Sequence, residues 1–143
     1  MDVETILRNK GSWVATIRPE ATIAEAVDML RHERIGAIVV SEDGESVDGI
    51  LSERDIVTAL ADFGTDLLLR CVDDIMTRDV VTCEPGDTVG ELMAEMTSRR
   101  IRHFPVVTDG RLCGIVSIGD LVKSRIDEVE FEANSLRSFI AGA

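Results

Sequence analysis

Positive charge is scarce in this chain of 143 residues. There are 15 Lys and Arg against 27 Asp and Glu, a formal net charge of −12. That balance argues against non-specific nucleic-acid binding, which needs cations to neutralise phosphates. It argues equally against an anionic membrane surface. Histidine is limited to His32 and His103, too few for a His-rich metal centre. The cysteines, Cys71, Cys83 and Cys113, are odd in number, form no C-x-x-C and have apolar neighbours. Neither a disulfide framework nor a zinc site is expected, and a reducing cytoplasm is the simpler context. No apolar run approaches the roughly 18–20 residues of a membrane span. The opening MDVETILRNK is acidic and mixed, unlike a secretory leader.

What is present suffices for a core. A content of 45% hydrophobic and 29% charged residues fits a soluble globular protein. A chain of this length buries roughly 68–70% of its unfolded surface. An internal repeat organises it. Val14 falls on Val80, Thr16 on Thr82, Pro19 on Pro85, Thr22 on Thr88 and Glu25 on Glu91. Further on, Arg34-Ile35 matches Arg100-Ile101, and Asp43-Gly44 matches Asp109-Gly110. After a one-residue slip, Gly49-Ile50, Ser52 and Asp55 match Gly114-Ile115, Ser117 and Asp120. The chain is two copies of one unit of about 60 residues.

Each unit predicts β-α-β-β-α. A short extended segment (13–17; 80–83) runs into a proline, and a capping box follows, Thr22 with Glu25 or Thr88 with Glu91. Ile23, Ala26, Val27 and Leu30 form the buried stripe of one helix; Val89, Leu92, Met93 and Met96 form that of the other. Two β-rich runs around Asp43-Gly44 and Asp109-Gly110 read as hairpins. A second helix starts at Ser52 or Ser117. The expected class is α+β, with the two units packed through their helices. From Ile118 the last helix runs on, with Val122, Ile126, Val129, Ala133, Leu136 and Ile140 in alternating four- and three-residue steps. That is a coiled-coil-like seam. It either folds back on its own domain or makes a dimer contact.

The junction between hairpin and second helix reads G-I-x-S-x-x-D in both copies, Gly49–Asp55 and Gly114–Asp120. Ser52, Asp55, Ser117 and Asp120 suit helix caps. They equally suit a ligand: a helix N-terminus favours phosphate, an acidic residue in its first turn can accept a ribose diol, and the preceding Gly allows close backbone approach.

With this duplicated motif, V-D-D-I-M-T (72–77) and R-I-R-H-F-P-V-V (100–107), almost the whole chain resembles the cystathionine-β-synthase (CBS) domain pair, or Bateman module, of the stand-alone two-repeat type. The resemblance implies two pseudo-symmetric clefts between the copies, with adenosine ligands such as AMP, ADP, ATP, NAD or S-adenosylmethionine. Asp55 and Asp120 would take ribose hydroxyls, and Ser52 and Ser117 ribose or phosphate. Thr16-Ile17 and Thr82-Cys83 would pack on adenine. Gly36-Ala37 and the strand opening through Phe104-Pro105 would line the other walls, with Gly119 beside them. The phosphate end needs cations: Arg54, Arg102 and His103 are candidates, and Lys10 could reach it from the Asn9-Lys10-Gly11 segment. Trp13 is read either as a cover for a nucleobase or as a core lid. Gly119 in place of Arg54, and Gly36-Ala37 in place of Arg102-His103, predict unequal clefts.

No base–nucleophile pair, metal cluster or phosphate-cradling Gly-rich loop points to catalysis, which this family carries on separate domains. The chain ends soon after the second copy, so no catalytic domain is expected. The expected boundaries are 1–62 for the first repeat with its N-terminal segment, 63–71 for a linker, 72–127 for the second repeat and 128–143 for a helical extension. The expected function is a regulatory, homodimeric nucleotide-binding module that modulates a protein target. The alternative is a structural dimerisation or adaptor module whose clefts bind nothing physiological.

Overall fold

The computed structural model describes residues 1–142. The helices are α1 (Val3–Lys10), α2 (Ile23–Glu33), α3 (Glu53–Phe63), α4 (Val72–Ile75), α5 (Val89–Arg99) and α6 (Ile118–Gly142). The strands are β1 (Thr16–Ile17), β2 (Ala37–Val40), β3 (Gly49–Ser52), β4 (His103–Thr108) and β5 (Arg111–Ser117). One sheet has the order β1-β2-β3, parallel then antiparallel; the other is the hairpin β4-β5. Cys83 makes an isolated parallel bridge to Val106, the second half's remnant of β1. Each half therefore follows the expected α+β plan.

Local chemistry explains the elements. Thr22 caps α2 through its Oγ1 and the Glu25 amide (3.2 Å), and Glu25 returns the bond to the Thr22 amide. Thr88 caps α5 through the Glu91 amide (3.3 Å). Asp109 and Gly110, at φ 52° and 78°, form the two-residue hairpin turn that needs positive φ at both positions. The first hairpin's tip is longer. There the Asp43 carboxylate accepts from the Glu45 and Ser46 amides, both at 2.8 Å.

The segments preceding each copy cross over. In chain order α1 leads the first repeat, yet Val3 and Ile6 are buried in the second core, beside Val89, Leu92, Phe104 and Val116. α4 leads the second repeat, yet Val72 and Met76 are buried in the first core, with Ile23, Leu30, Ile38 and Leu51. The backbone bonds match in pairs. Val3 N donates to Asp87 O and Val72 N to Ala21 O; Glu4 N donates to Pro85 O and Asp73 N to Pro19 O. The N-terminal segment, expected with the first repeat, thus packs on the second. An apolar i, i+3 or i, i+4 pair forms a one-sided helical stripe, and here the core that buries it belongs to the other copy. The connection between the halves is also structured: Gly64–Leu69 is a 3-10 helix with Leu67 buried in the first core.

The glycine opening each motif serves this exchange. A Cβ on Gly49 would meet Met76 Sδ at 2.6 Å and Thr77 O at 3.0 Å; one on Gly114 would meet Leu7 Cδ2 at 2.6 Å. The requirement is for packing of the leading segment, not for backbone approach to a ligand.

α6 does not fold back. Leu121 and Ser124 are buried, while Val122, Ile126, Val129, Leu136 and Ile140 are exposed. At 100° per residue the 122–126–129–133–136–140 stripe points well away from the Leu121–Ser124 face. No helix among the described residues is long and apolar enough to cross a membrane.

Candidate functional site

The two serine–aspartate junctions are built alike. Ser52 Oγ accepts from the Asp55 amide (3.3 Å), and Asp55 Oδ2 accepts from the Ser52 amide (2.9 Å). The corresponding distances at Ser117 and Asp120 are 3.2 and 2.9 Å. The first amide of each helix is also spent: Glu53 N donates to Gly36 O at 3.0 Å, and Ile118 N to Arg102 O at 2.8 Å. Two of the first three helical amides are thus satisfied within the protein. Little of the helix end is left for an anion, and side-chain cations must do that work.

A cavity of about 250 Å³ lies between the copies beside the first junction. Ser52, Glu53, Arg54, Asp55, Gly36 and Ile50 of the first copy line one side. Thr77, Asp79, Val80, Val81 and the run Arg100–His103 line the other. Thr77 Oγ1 donates to Asp55 Oδ1 (3.1 Å), and Arg54 Nη1 donates to Arg100 O (2.9 Å), tying the copies together across the mouth. The arginine rim of Arg54, Arg100 and Arg102 continues into a shallower depression lined by Met96, Thr97 and Ile118. Arg54, Arg100 and Arg102 share the cavity lining with Glu53, Asp55 and Asp79, so cationic and anionic side chains are interspersed there. His103 packs against Gly36, where a Cβ would lie 3.3 Å from its ring. Burial depresses the His103 pKa below its ordinary value, against the pull of Asp120 and Glu53.

The second junction carries different company. Lys10 Nζ donates to Asp120 Oδ2 at 2.7 Å and to Ile115 O at 3.0 Å. Burial works against ionisation of Asp120, but Lys10 and the Ser117 amide outweigh it and hold the carboxyl below the usual range.

Of the residues singled out in the sequence, Ser52, Asp55, Arg54, Gly36, Arg102 and His103 come together at this cavity. Ser117, Asp120, Gly119 and Lys10 gather at the other junction. Ile17, Ala37, Cys83 and Phe104 lie in the cores, and Pro105 is buried with them. Thr16 is half-buried on β1, Thr82 is exposed, and neither borders the cavity. The segments 16–17 and 82–83, expected on the adenine side, thus lie off the cavity at Asp55. Ile17 and Cys83 enter the cores, and the cavity wall is made two positions before 82–83, by Val80 and Val81. Burial pushes the Cys83 thiol up to about 12, consistent with a packed and inert side chain. Trp13, 65% exposed, lids no core. The sequence reading missed Arg100, whose φ of 57° turns its carbonyl to Arg54 at the end of α5. The match of Arg34-Ile35 with Arg100-Ile101 between the copies was the available signal. Among the described residues no group of three or more His, Cys, Asp or Glu is placed to hold a metal ion.

The comparisons agree with this architecture. The family model for the CBS domain matches residues 14–62 and 72–127. The crystal structure of the CBS-domain containing protein ATU1752 from Agrobacterium tumefaciens is 44% identical, with a TM-score of 0.84 over 87% of this chain and 92% of that one. The mitochondrial CBS domain-containing protein CBSX3 of Arabidopsis thaliana is 35% identical over 136 residues. That match spans 92% of this chain but 66% of the relative, just under two thirds. The CBS domain pair of protein MJ0100, solved in complex with 5′-methylthioadenosine and S-adenosylmethionine, is 28% identical with a TM-score of 0.77, covering 90% of this chain and 98% of that one. A duplicated unit, exchanged leading segments and paired serine–aspartate junctions thus have one common explanation: the chain belongs to the CBS-domain family and carries two CBS domains.

Proposed function

We propose that this protein is a regulatory sensor that binds an adenosine-containing ligand between its two CBS domains and modulates a protein partner. The observation that carries the reading is the cavity itself, with the Asp55 carboxylate and three arginines among its lining residues. The Asp55 carboxylate takes the ribose hydroxyls, and Ser52 assists at ribose or phosphate. Val80, Val81 and Ile101 face the base, while Arg54, Arg100, Arg102 and His103 meet phosphate. About 250 Å³ is small beside the roughly 300–1,000 Å³ of pockets for drug-sized ligands. It suits one nucleoside, and the adjoining depression that shares Arg54, Arg100 and Arg102 extends it, so the adenosine class of AMP, ADP, ATP or NAD fits. The ligands carried by the MJ0100 domain pair support the adenosine class.

The protein acts as a homodimer in a reducing compartment such as the cytoplasm, with the exposed stripe of α6 as its contact. Its output is a shift of conformation or assembly rather than catalysis. A second reading, a structural dimerisation module, is favoured by the same α6 stripe. Thermal melts decide between them. A ligand bound only to the folded state adds about 2.7 kcal/mol at 100 times its dissociation constant, a shift of several degrees. The sensor reading expects that shift with AMP or ATP and a smaller one with GMP. No shift with any adenosine compound at millimolar concentration sustains the structural reading instead.

A further inference from the structure

The leading segments that cross between the halves do different things to the two carboxylates. In the first half, Thr77 donates its amide to Ile50 O (2.9 Å) and its hydroxyl to Asp55 Oδ1 (3.1 Å). In the second half, Lys10 donates to Ile115 O, the repeat partner of Ile50 O, and to Asp120 Oδ2, the oxygen that also accepts from the Ser117 amide, with a single ammonium. The chain arrives differently as well. By Thr77 it is extended and bridges Ile50, whereas α1 is still helical at Lys10. Leu7, one turn earlier, is seated against Gly114, and Val3 and Ile6 are buried, so α1 holds the lysine in place. The Lys10 and Asp120 side chains are 35% and 24% exposed, so the pair is only partly screened by solvent.

A ribose diol must donate to the carboxylate it binds. At Asp55 it competes with a neutral hydroxyl that can rotate away. At Asp120 it competes with a charge-assisted bond, about twice as strong as a neutral one. We propose that Lys10 is the residue that makes the two clefts unequal: it latches the second cleft by occupying Asp120, so that ligand fills the Asp55 cleft first. This rests on the adenosine-ligand reading above. It assigns Lys10 a role opposite to that of a phosphate-binding cation.

The sign of one mutational effect tests it. AMP is titrated calorimetrically into the full chain, and Asp55→Asn and Asp120→Asn assign the two binding events. Lys10→Met keeps the apolar stem and removes the charge. The proposal expects it to strengthen the Asp120-dependent event by about tenfold or more, or to bring that event into view where the parent shows one site. Lys10→Arg, which keeps the charge, should retain the parent pattern. If AMP binds and Lys10→Met leaves the Asp120-dependent event unchanged or weakens it, the latch is wrong, and weakening would make Lys10 a ligand contact. If AMP, ADP and ATP bind neither the parent nor any variant, the nucleotide reading itself fails and the latch falls with it.

Discussion

The two junctions have the same serine, the same aspartate and nearly the same capping distances, yet they present different chemistry. Asp55 faces a threonine hydroxyl, with an arginine next to it in sequence. Asp120 faces an ammonium, with Gly119 in the arginine's place. Duplication fixed where the carboxylates sit. The leading segments, which resemble each other least, decide what sits in front of them. Regulation in such a fold can therefore diverge without disturbing either core.

The crossing of those segments gives the largest expected effects. Val3 and Val72 are matched, fully buried valines, each packed on the repeat it does not precede. Val3→Ala and Val72→Ala should each cost about 2–3 kcal/mol from lost burial and cavity formation. Denaturant midpoints measure the cost, and hydrogen exchange locates it. Val3→Ala should loosen the amides of β4–β5, and Val72→Ala those of β2–β3. Loosening of the repeat that follows each residue in sequence would break the exchange.

The motif glycines sharpen the contrast. Gly49→Ala would press on the fixed carbonyl of Thr77 as well as on Met76, whereas Gly114→Ala meets only the Leu7 side chain. Overpacking costs about 1–3 kcal/mol, and Gly49→Ala should fall at the upper end. Adding Leu7→Ala should recover part of the loss at Gly114. Equal costs in thermal unfolding would mean that the two seats are equally yielding.

Much of this was legible because it is local. Capping boxes, the Asp109-Gly110 turn and the serine–aspartate junctions depend on residues within a few positions of one another, and the repeat showed each of them twice. The crossing was hidden by a register change. Val3 corresponds to Val72, and Val14 to Val80, so the leading segments align three residues out of step with the units they precede. The cavity walls were partly misread for a related reason. The extended segment 80–83 was visible, but which of its residues line the cavity depends on the pairing of Cys83 with Val106, a contact distant in sequence. The α6 stripe was visible, while its direction depended on how Leu121 docks.

Acid should separate the halves next. His103 has Ala37 as its repeat partner, so this titration exists in one half only. Burial favours the neutral ring, so the unfolded chain takes up a proton first as pH falls below about 6.5. Stability should decline from there toward the lower folded value. Asp120, held below its usual range, adds a loss at lower pH as its carboxyl is protonated. His103→Gln should flatten the decline between roughly pH 5 and 7 in pH-dependent melts. An unchanged slope would mean that His103 does not contribute.

The smallest effect concerns Ser124, whose buried hydroxyl has no hydrogen-bond partner and whose repeat partner is the buried Ala59. Ser124→Ala makes the second half like the first. It should gain about 1 kcal/mol or less, since an unpaired buried hydroxyl is removed and helix propensity improves. A loss in denaturant midpoint would imply a partner for that hydroxyl in solution.

The cavity at Asp55 is proposed to hold the ribose of an adenosine ligand, and calorimetric titration of AMP into Asp55→Asn beside the parent tests this most directly. Asparagine keeps the shape and the cap but loses a charged acceptor, so the affinity of the tighter event should fall about tenfold or more. Asp120→Asn should leave that event in place. Parent-like binding by Asp55→Asn would contradict the account and leave Asp55 as a helix cap alone.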